Sequence, residues 1–352
     1  MSVLWRLCVA AAALLAAVWL IRGDGEPPVE FLTPEPKAPV PSAPAAAELT
    51  GPAASPIRYA YEPHCNDDSD GCTHYILVSA TGERWWLPGA RDGAPFVLSA
   101  DGTVAVHPLE GRYVARDLTT GEVTKLPVKA RDSAGEMFGA QQPLLSLDGR
   151  HLLVQHDRVD EDGELVLERP MIVDIRRGTV HRLPKDARIA GWTTEGLALV
   201  TEEPARDRPG HATSAAYVIH SPGGRAVRRF TLPGNLARGL PSPSARTLAS
   251  LPREIAPHDV VSPGILLTDT RTGRTLRTVV PRLPAGLKAD GLVRWESEDA
   301  LLVRAEDRHR RSSYHVVDLE TGAARDLRVD MTPVADYWLA PAEFSVRIGS
   351  AR

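Results

Sequence analysis

Three groups of residues in this chain have the types and spacing that chemistry needs. The first is CNDDSDGC, Cys65 to Cys72. Two cysteines closing so short a polar loop suit a local disulfide, and disulfides persist outside the cytoplasm. Two free thiols in a reducing compartment are the other reading. Asn66, Asp68 and Asp70 ahead of Gly71 imitate the start of a calcium loop, but its twelfth position falls on Leu77, where the ion needs a bidentate glutamate. The second group is His211, His258 and His309, each in a separate long loop. Brought together they would make a three-histidine metal centre; left apart they are solvated loop residues.

The third group is electrostatic. DRVDEDGELVLE (157–168) is strongly acidic and carries Asp157, Asp160 and Glu161, whereas RAEDRHRRSS (304–313) is basic and carries Arg308, Arg310 and Arg311. Charged loops on a rigid scaffold are usual seats of protein binding, with ordinary solvated surface as the alternative. Trp192, Trp295 and Trp338 recur at equivalent places and offer stacking faces for sugars, or bulk for packing between sheets. No GxSxG, HExxH or GxxxxGK[ST] run places a nucleophile, zinc or phosphate, so catalysis has little support. No cofactor is implied. The net charge of −4 offers no basic field for nucleic acid.

Those residues must be positioned by the surrounding elements, and the elements repeat. FVLSADGTVAVHPLEGRYVARDLTTGEVTKLP, Phe96 to Pro127, reads as four short strands. Its β-branched and apolar residues alternate with small or polar ones, and Asp101-Gly102 and Thr119-Thr120-Gly121 supply tight turns. Leu126-Pro127 reads as a stop, because proline has no N–H for a ladder. The second turn returns with Gly82, Gly121, Gly178, Gly224, Gly273 and Gly322, at spacings of about 39, 57, 46, 49 and 49 residues. Repeats near 40–50 residues with four strands each are the plan of propeller blades. An all-β sandwich is the alternative, but its turns need no such phase.

LSADG (Leu98–Gly102) and LSLDG (Leu145–Gly149) resemble the SPDG-type turn of TolB-like, WD40-like β-propeller repeats, and the resemblance spans roughly Tyr75 to Ile348. It implies propeller architecture, with scaffolding or periplasmic docking as the family's function. The Gly-His and Trp-Asp signature of true WD40 blades is absent.

Three segments follow. Residues 1–22 hold the apolar run LCVAAAALLAAVWLI, which reads as a membrane anchor or, alternatively, a cleaved signal. Residues 23–56 are rich in Pro and Ala, unable to bury a core, and read as an extended stalk. Residues 57–349 form the propeller. The domain begins mid-repeat at Tyr75–Val78 and ends mid-repeat at Ala335–Leu339 and Glu343–Ile348, so the two ends are expected to share one blade. That makes six blades, or seven if Ile57–Tyr61 belongs to a further unit.

The expected protein is therefore an all-β, six-bladed propeller anchored by one transmembrane helix, outside the cytoplasm, binding another cell-envelope protein. A propeller-type hydrolase, a lactonase or glycan-cleaving enzyme with its site at the channel mouth, is the alternative. Arginine greatly outnumbers lysine beside abundant Ala, Pro and Gly, the composition of a GC-rich bacterial genome.

Overall fold

A computed structural model describes residues 46–62, 74–91, 94–130, 143–159, 165–185, 187–204, 212–252, 254–256, 259–261, 264–309, 311–329 and 346–348. They form an all-β, six-bladed propeller. Blade 2 is the simplest. Val97–Leu98, Val104–Leu109, Arg112–Asp117 and Val123–Lys129 pair antiparallel in chain order, so the first strand lies innermost and the fourth forms the rim. Blade 3 (Leu144–Leu145, His151–Val154, Met171–Asp174, Val180–Arg182) and blade 4 (Arg188–Thr193, Gly196–Pro204, Ala212–His220, Ala226–Pro233) repeat this plan. So do blade 5 (Leu240–Pro241, Thr247–Ser250, Ile265–Asp269, Thr275–Val279) and blade 6 (Lys288–Ser297, Ala300–Glu306, Ser312–Asp318, Ala324–Asp326).

Blade 1 draws on both ends of the described chain. Its order is Val346–Ile348, Ile57–Tyr61, His74–Ser79 and Arg84–Arg91, with Tyr59 opposite Ile348. Ile57–Tyr61 is thus a second strand here rather than part of a seventh blade. Val346–Ile348 is the innermost strand, not the second one that the sequence suggests. The expected first strand, Ala335–Leu339, lies outside the described residues. A fifth strand, Ala47–Glu48, adds parallel to the rim strand opposite Trp85 and Trp86. The folded unit therefore reaches back into the segment read as stalk. Leu49 is buried, Arg116 donates to the Leu49 carbonyl, and the Ala53 N–H donates to Leu118 O at 2.7 Å.

The blades stand because their strands are apolar on both faces. In His74–Ser79, Tyr75 and Leu77 pack toward blade 2 with Phe96, Leu98 and Ala105, whereas Ile76 and Val78 pack toward blade 6 with Leu302 and Tyr314. This is the two-residue alternation of a strand with hydrophobic surface on each side. Six such clusters occur among the described residues, one at each seam between neighbouring blades. Burying a Leu, Ile or Val side chain contributes roughly 1.5–3 kcal/mol, so packing between blades dominates the stability.

Turn chemistry is repeated as well. Ser99 Oγ donates to Asp101 at 2.6 Å and accepts the Val104 N–H at 2.9 Å; Ser146, Asp148 and His151 reproduce the arrangement. Burial pushes the Asp101 carboxyl up, but hydrogen bonds from Ser99 and Thr103 outweigh it and leave the group below the usual carboxylate range. At the third-to-fourth turns Asp117, Asp269 and Asp318 each accept the N–H and hydroxyl of a following threonine. All six glycines of the sequence repeat take a positive φ there.

The Leu-Pro pairs are not stops in every blade. Arg84–Arg91 and Val123–Lys129 run through Pro88 and Pro127, because a rim strand has an open edge where a missing N–H costs nothing. The leucine is buried in four of the five pairs, Leu87, Leu126, Leu183 and Leu232, and only half-buried at Leu283.

His107, in the second strand of blade 2, is 2 % exposed. Its Nδ1 donates to the Pro108 carbonyl at 3.0 Å, which assigns the hydrogen to that nitrogen. Desolvation, with a smaller contribution from the Arg116 charge, pulls its pKa down to about 4. Between pH 6.5 and 4 the unfolded chain binds a proton at this site that the folded chain refuses. Stability from His107 is therefore complete above pH 6.5 and falls by up to about 3 kcal/mol as the pH drops toward 4. His107→Gln should flatten that part of the urea-midpoint against pH curve; parallel curves for the two proteins would contradict it.

Candidate binding surfaces

The ring has two unlike faces. On one, the first-to-second turns hold each other. An added Cβ on Gly149 would meet Ser99 at 3.3 Å, Thr194 N–H donates to Pro243 O at 2.8 Å, and Ser244 Oγ donates to Glu298 at 2.9 Å. Arg228 joins this set, donating to Ser244 O and pairing with Glu195 at 2.6 Å. Strand alternation puts the second-to-third connections on the opposite face.

Sequence reading made those connections long loops; the structure makes them hairpins. Asp157–Val159 pairs with Leu165–Leu167 in blade 3, and Glu254–Ala256 with Asp259–Val261 in blade 5. In blade 4 the two middle strands run on until Pro204 stands opposite Ala212, and in blade 6 until Glu306 stands opposite Ser312. The reason is local: strand-forming residues such as Val159, Val166 and Val260 occupy what charge alone marked as loop.

Of the expected electrostatic site, Asp157 begins the blade 3 ribbon, and Asp160, Glu161 and Arg310 lie outside the described residues. Arg308 is exposed beside His309, its Nε 3.0 Å from the His309 Nε2. Arg311 turns back to Asp307 at 2.8 Å. The Arg311 N–H and guanidinium, with the His309 N–H, hold the Asp307 carboxyl below its ordinary range. The acidic and basic hairpins belong to blades 3 and 6, three blades apart, so they share a face without adjoining. His211, His258, Cys65 and Cys72 lie outside the described residues, as do residues 1–45. No helix among the described residues is long and apolar enough to cross a membrane, and no metal-ligating group of three gathers among them.

A second surface runs along the axis. The first strands of blades 2 to 6 line an open cavity of about 460 Å³. Its wall is mostly aliphatic, with Leu144, Leu145, Ile189, Leu240 and Leu292 beside Trp192 and Trp295. Each tryptophan also seals a seam, donating its indole N–H to the first strand of the preceding blade. Trp192 reaches Leu144 O at 3.3 Å and Trp295 reaches Leu240 O at 3.0 Å. These two pack between blades rather than offering open faces to a sugar; Trp338 lies outside the described residues.

Blade 6 breaks the apolar wall. Its first strand carries three register shifts, Ala289/Gly291, Leu292/Arg294 and Trp295/Ser297. The bulges open the sheet, and Arg294, Arg304 and Tyr314 reach the cavity. Arg304 ion-pairs with Asp290, and Arg294 with Glu296 at 2.7 Å. Sequence reasoning missed this site. Its signal was Gly291 inside the strand pattern KADGLVRWES, since glycine within a strand marks a bulge.

No family model and no curated protein matches the chain. Solved structures of similar outline include TolB from Acinetobacter baumannii, 16% identical over 76% of this chain and 65% of that one, TM-score 0.39. An acylaminoacyl peptidase from Pyrococcus horikoshii is 13% identical over 82% and 55%, TM-score 0.40. An oligogalacturonate lyase from Vibrio parahaemolyticus is 10% identical over 77% and 75%, TM-score 0.42. The chain spans less than two thirds of the first two. These likenesses are in outline only, and none bears on what this chain does.

Proposed function

We propose that this chain is a binding module of the cell envelope, held outside the cytoplasm by its N-terminal apolar segment and Pro/Ala-rich stalk. Its partner is another envelope protein, docked on the face of the second-to-third hairpins and steered by Asp157, Asp160, Glu161, Arg308, Arg310 and Arg311. A Cys65–Cys72 bridge belongs to the same reading, and the Tyr59–Ile348 pairing is its seam for keeping the ring shut. The observation that carries it is the difference between the faces. One is tied turn to turn, whereas the other carries the paired second-to-third strands of blades 3, 4 and 5, whose backbone edges suit contact. The hydrolase reading asks for polar groups converging in the channel; the described wall is mostly aliphatic.

The test is crosslinking in intact cells with residues 157–167, 205–211 and 254–261 each replaced by an Asn-Gly turn, alone and together. Loss of one crosslinked partner by tenfold or more, with the melting temperature preserved, is expected. An unchanged crosslink pattern in the triple variant would end the proposal.

A further inference from the structure

We propose that the face of tied turns is a self-association surface, on which a second copy of this chain docks head to head about a two-fold axis. The chain reverses three times within a blade, so the third-to-fourth turns lie at the same end of the ring as the first-to-second turns. That end is divided by charge. On blades 3 to 5 the turn residues Arg176, Arg225, Arg246 and Arg274 are exposed and make no ion pair among the described residues. On blades 6, 1 and 2 the exposed turn residues Glu83, Glu122, Asp299 and Glu320 likewise have no cation beside them among the described residues. The carboxylates of the basic half are engaged within the chain: Asp148 by Ser146, Asp174 by Arg177, Glu195 by Arg228 and Asp269 by Thr272.

The two halves are disposed for a two-fold. An axis lying in the face, between blades 2 and 3 and between blades 5 and 6, sets blade 3 on the partner's blade 2, blade 4 on its blade 1 and blade 5 on its blade 6. Equivalent turns then meet at equal distance from the ring axis. Arg176 faces the partner's Glu122, Arg225 the partner's Glu83, Arg274 the partner's Glu320 and Arg246 the partner's Asp299, and symmetry repeats each pair. Apolar surface follows the same edge. Val123, Val180, Val227 and Leu276 are exposed, and each stands two or three residues after a turn glycine. The same axis lays Val180 against the partner's Val123. The turns are already bonded to one another, Thr194 to Pro243 and Ser244 to Glu298, so docking has little disorder to remove. A uniformly anionic surface would attract one half of this face and repel the other; a rotated copy fits it in full.

This face lies opposite the hairpins, so self-association stands or falls separately from the proposed partner. The experiment is sedimentation of the full-length chain in non-ionic detergent. A dimer is expected, weakened about tenfold or more when salt rises from about 0.05 to 0.5 M. Arg225→Glu should weaken it at least tenfold with the melting temperature preserved, and adding Glu83→Arg should restore it. Arg274→Glu with Glu320→Arg is the second pair, should the first not fold. A monomer at every concentration would overturn the proposal, and one that instead binds polyphosphate through Arg225 would assign the basic half to an anionic polymer. A dimer indifferent to both reversals would place the contact in the N-terminal apolar segment and overturn it equally, as would a swap that restores nothing.

Discussion

Gly102→Ala should destabilise the propeller by about 4 kcal/mol or leave it unfolded, whereas Gly111→Ala, nine residues away in the same blade, should cost about 1 kcal/mol. Both glycines have nearly the same left-handed backbone, φ +71 and +73, so both substitutions bear similar conformational strain. The difference is what a Cβ would meet. At Gly111 there is nothing within 4 Å. At Gly102 a Cβ would stand 2.0 Å from the Ile57 carbonyl oxygen and 2.9 Å from the Ile57 N and C. Ile57 is fully buried and donates its N–H to Gly102 O at 2.9 Å, so the backbone of blade 1 is bonded to the turn that would have to move. Relief requires parting the seam between blades 1 and 2, with Tyr75, Leu77, Phe96 and Leu98 in it. Urea denaturation of the two variants measures this. Equal costs would mean that the seam yields easily and that the packing account of the fold is wrong.

Trp295→Ala carries the next largest effect, about 3–5 kcal/mol. The indole is 5 % exposed, packs with Leu301, Val303 and Ala249, and donates to Leu240 O across the seam between blades 5 and 6. Truncation removes that area and opens a void continuous with the axial cavity. Trp295→Phe separates the two contributions: it retains most of the apolar surface and loses one hydrogen bond, for about 1 kcal/mol beyond the small loss of area. Thermal or urea unfolding of the Ala and Phe variants reads both. If Trp295→Ala costs no more than Trp295→Phe, the ring lies at an open channel wall and does not hold the seam.

Architecture was legible in the sequence because blades are local objects. A hairpin needs Asp-Gly or Thr-Gly at a set distance from alternating apolar residues, and those spacings recur in the chain whatever lies next to them. The positive φ values at Gly82, Gly121, Gly178, Gly224, Gly273 and Gly322 fulfil an expectation made from spacing alone. Composition marks charged stretches in the same local way. What composition does not mark is whether a charged stretch is loop or ladder, and valines placed between Asp157 and Leu167 turned the expected loop into a paired ribbon.

Everything requiring two distant segments at once was decided by tertiary packing. Ile57–Tyr61 could be assigned to blade 1 only when it stood between Val346–Ile348 and His74–Ser79. Leu49 and Ala53 lie in a stretch whose Pro and Ala content suits a spacer, and their contacts with blades 1 and 2 are visible only in three dimensions. The axial cavity belongs to the same class. Its wall collects residues from five blades, and its two cations come from neighbouring strands of blade 6, Arg294 from the bulged first strand and Arg304 from the second. Periodicity tells a residue which face of its own strand it occupies. It carries no information about which other strand that face will meet, because long-range contacts are chosen by the shape and volume of the whole ring.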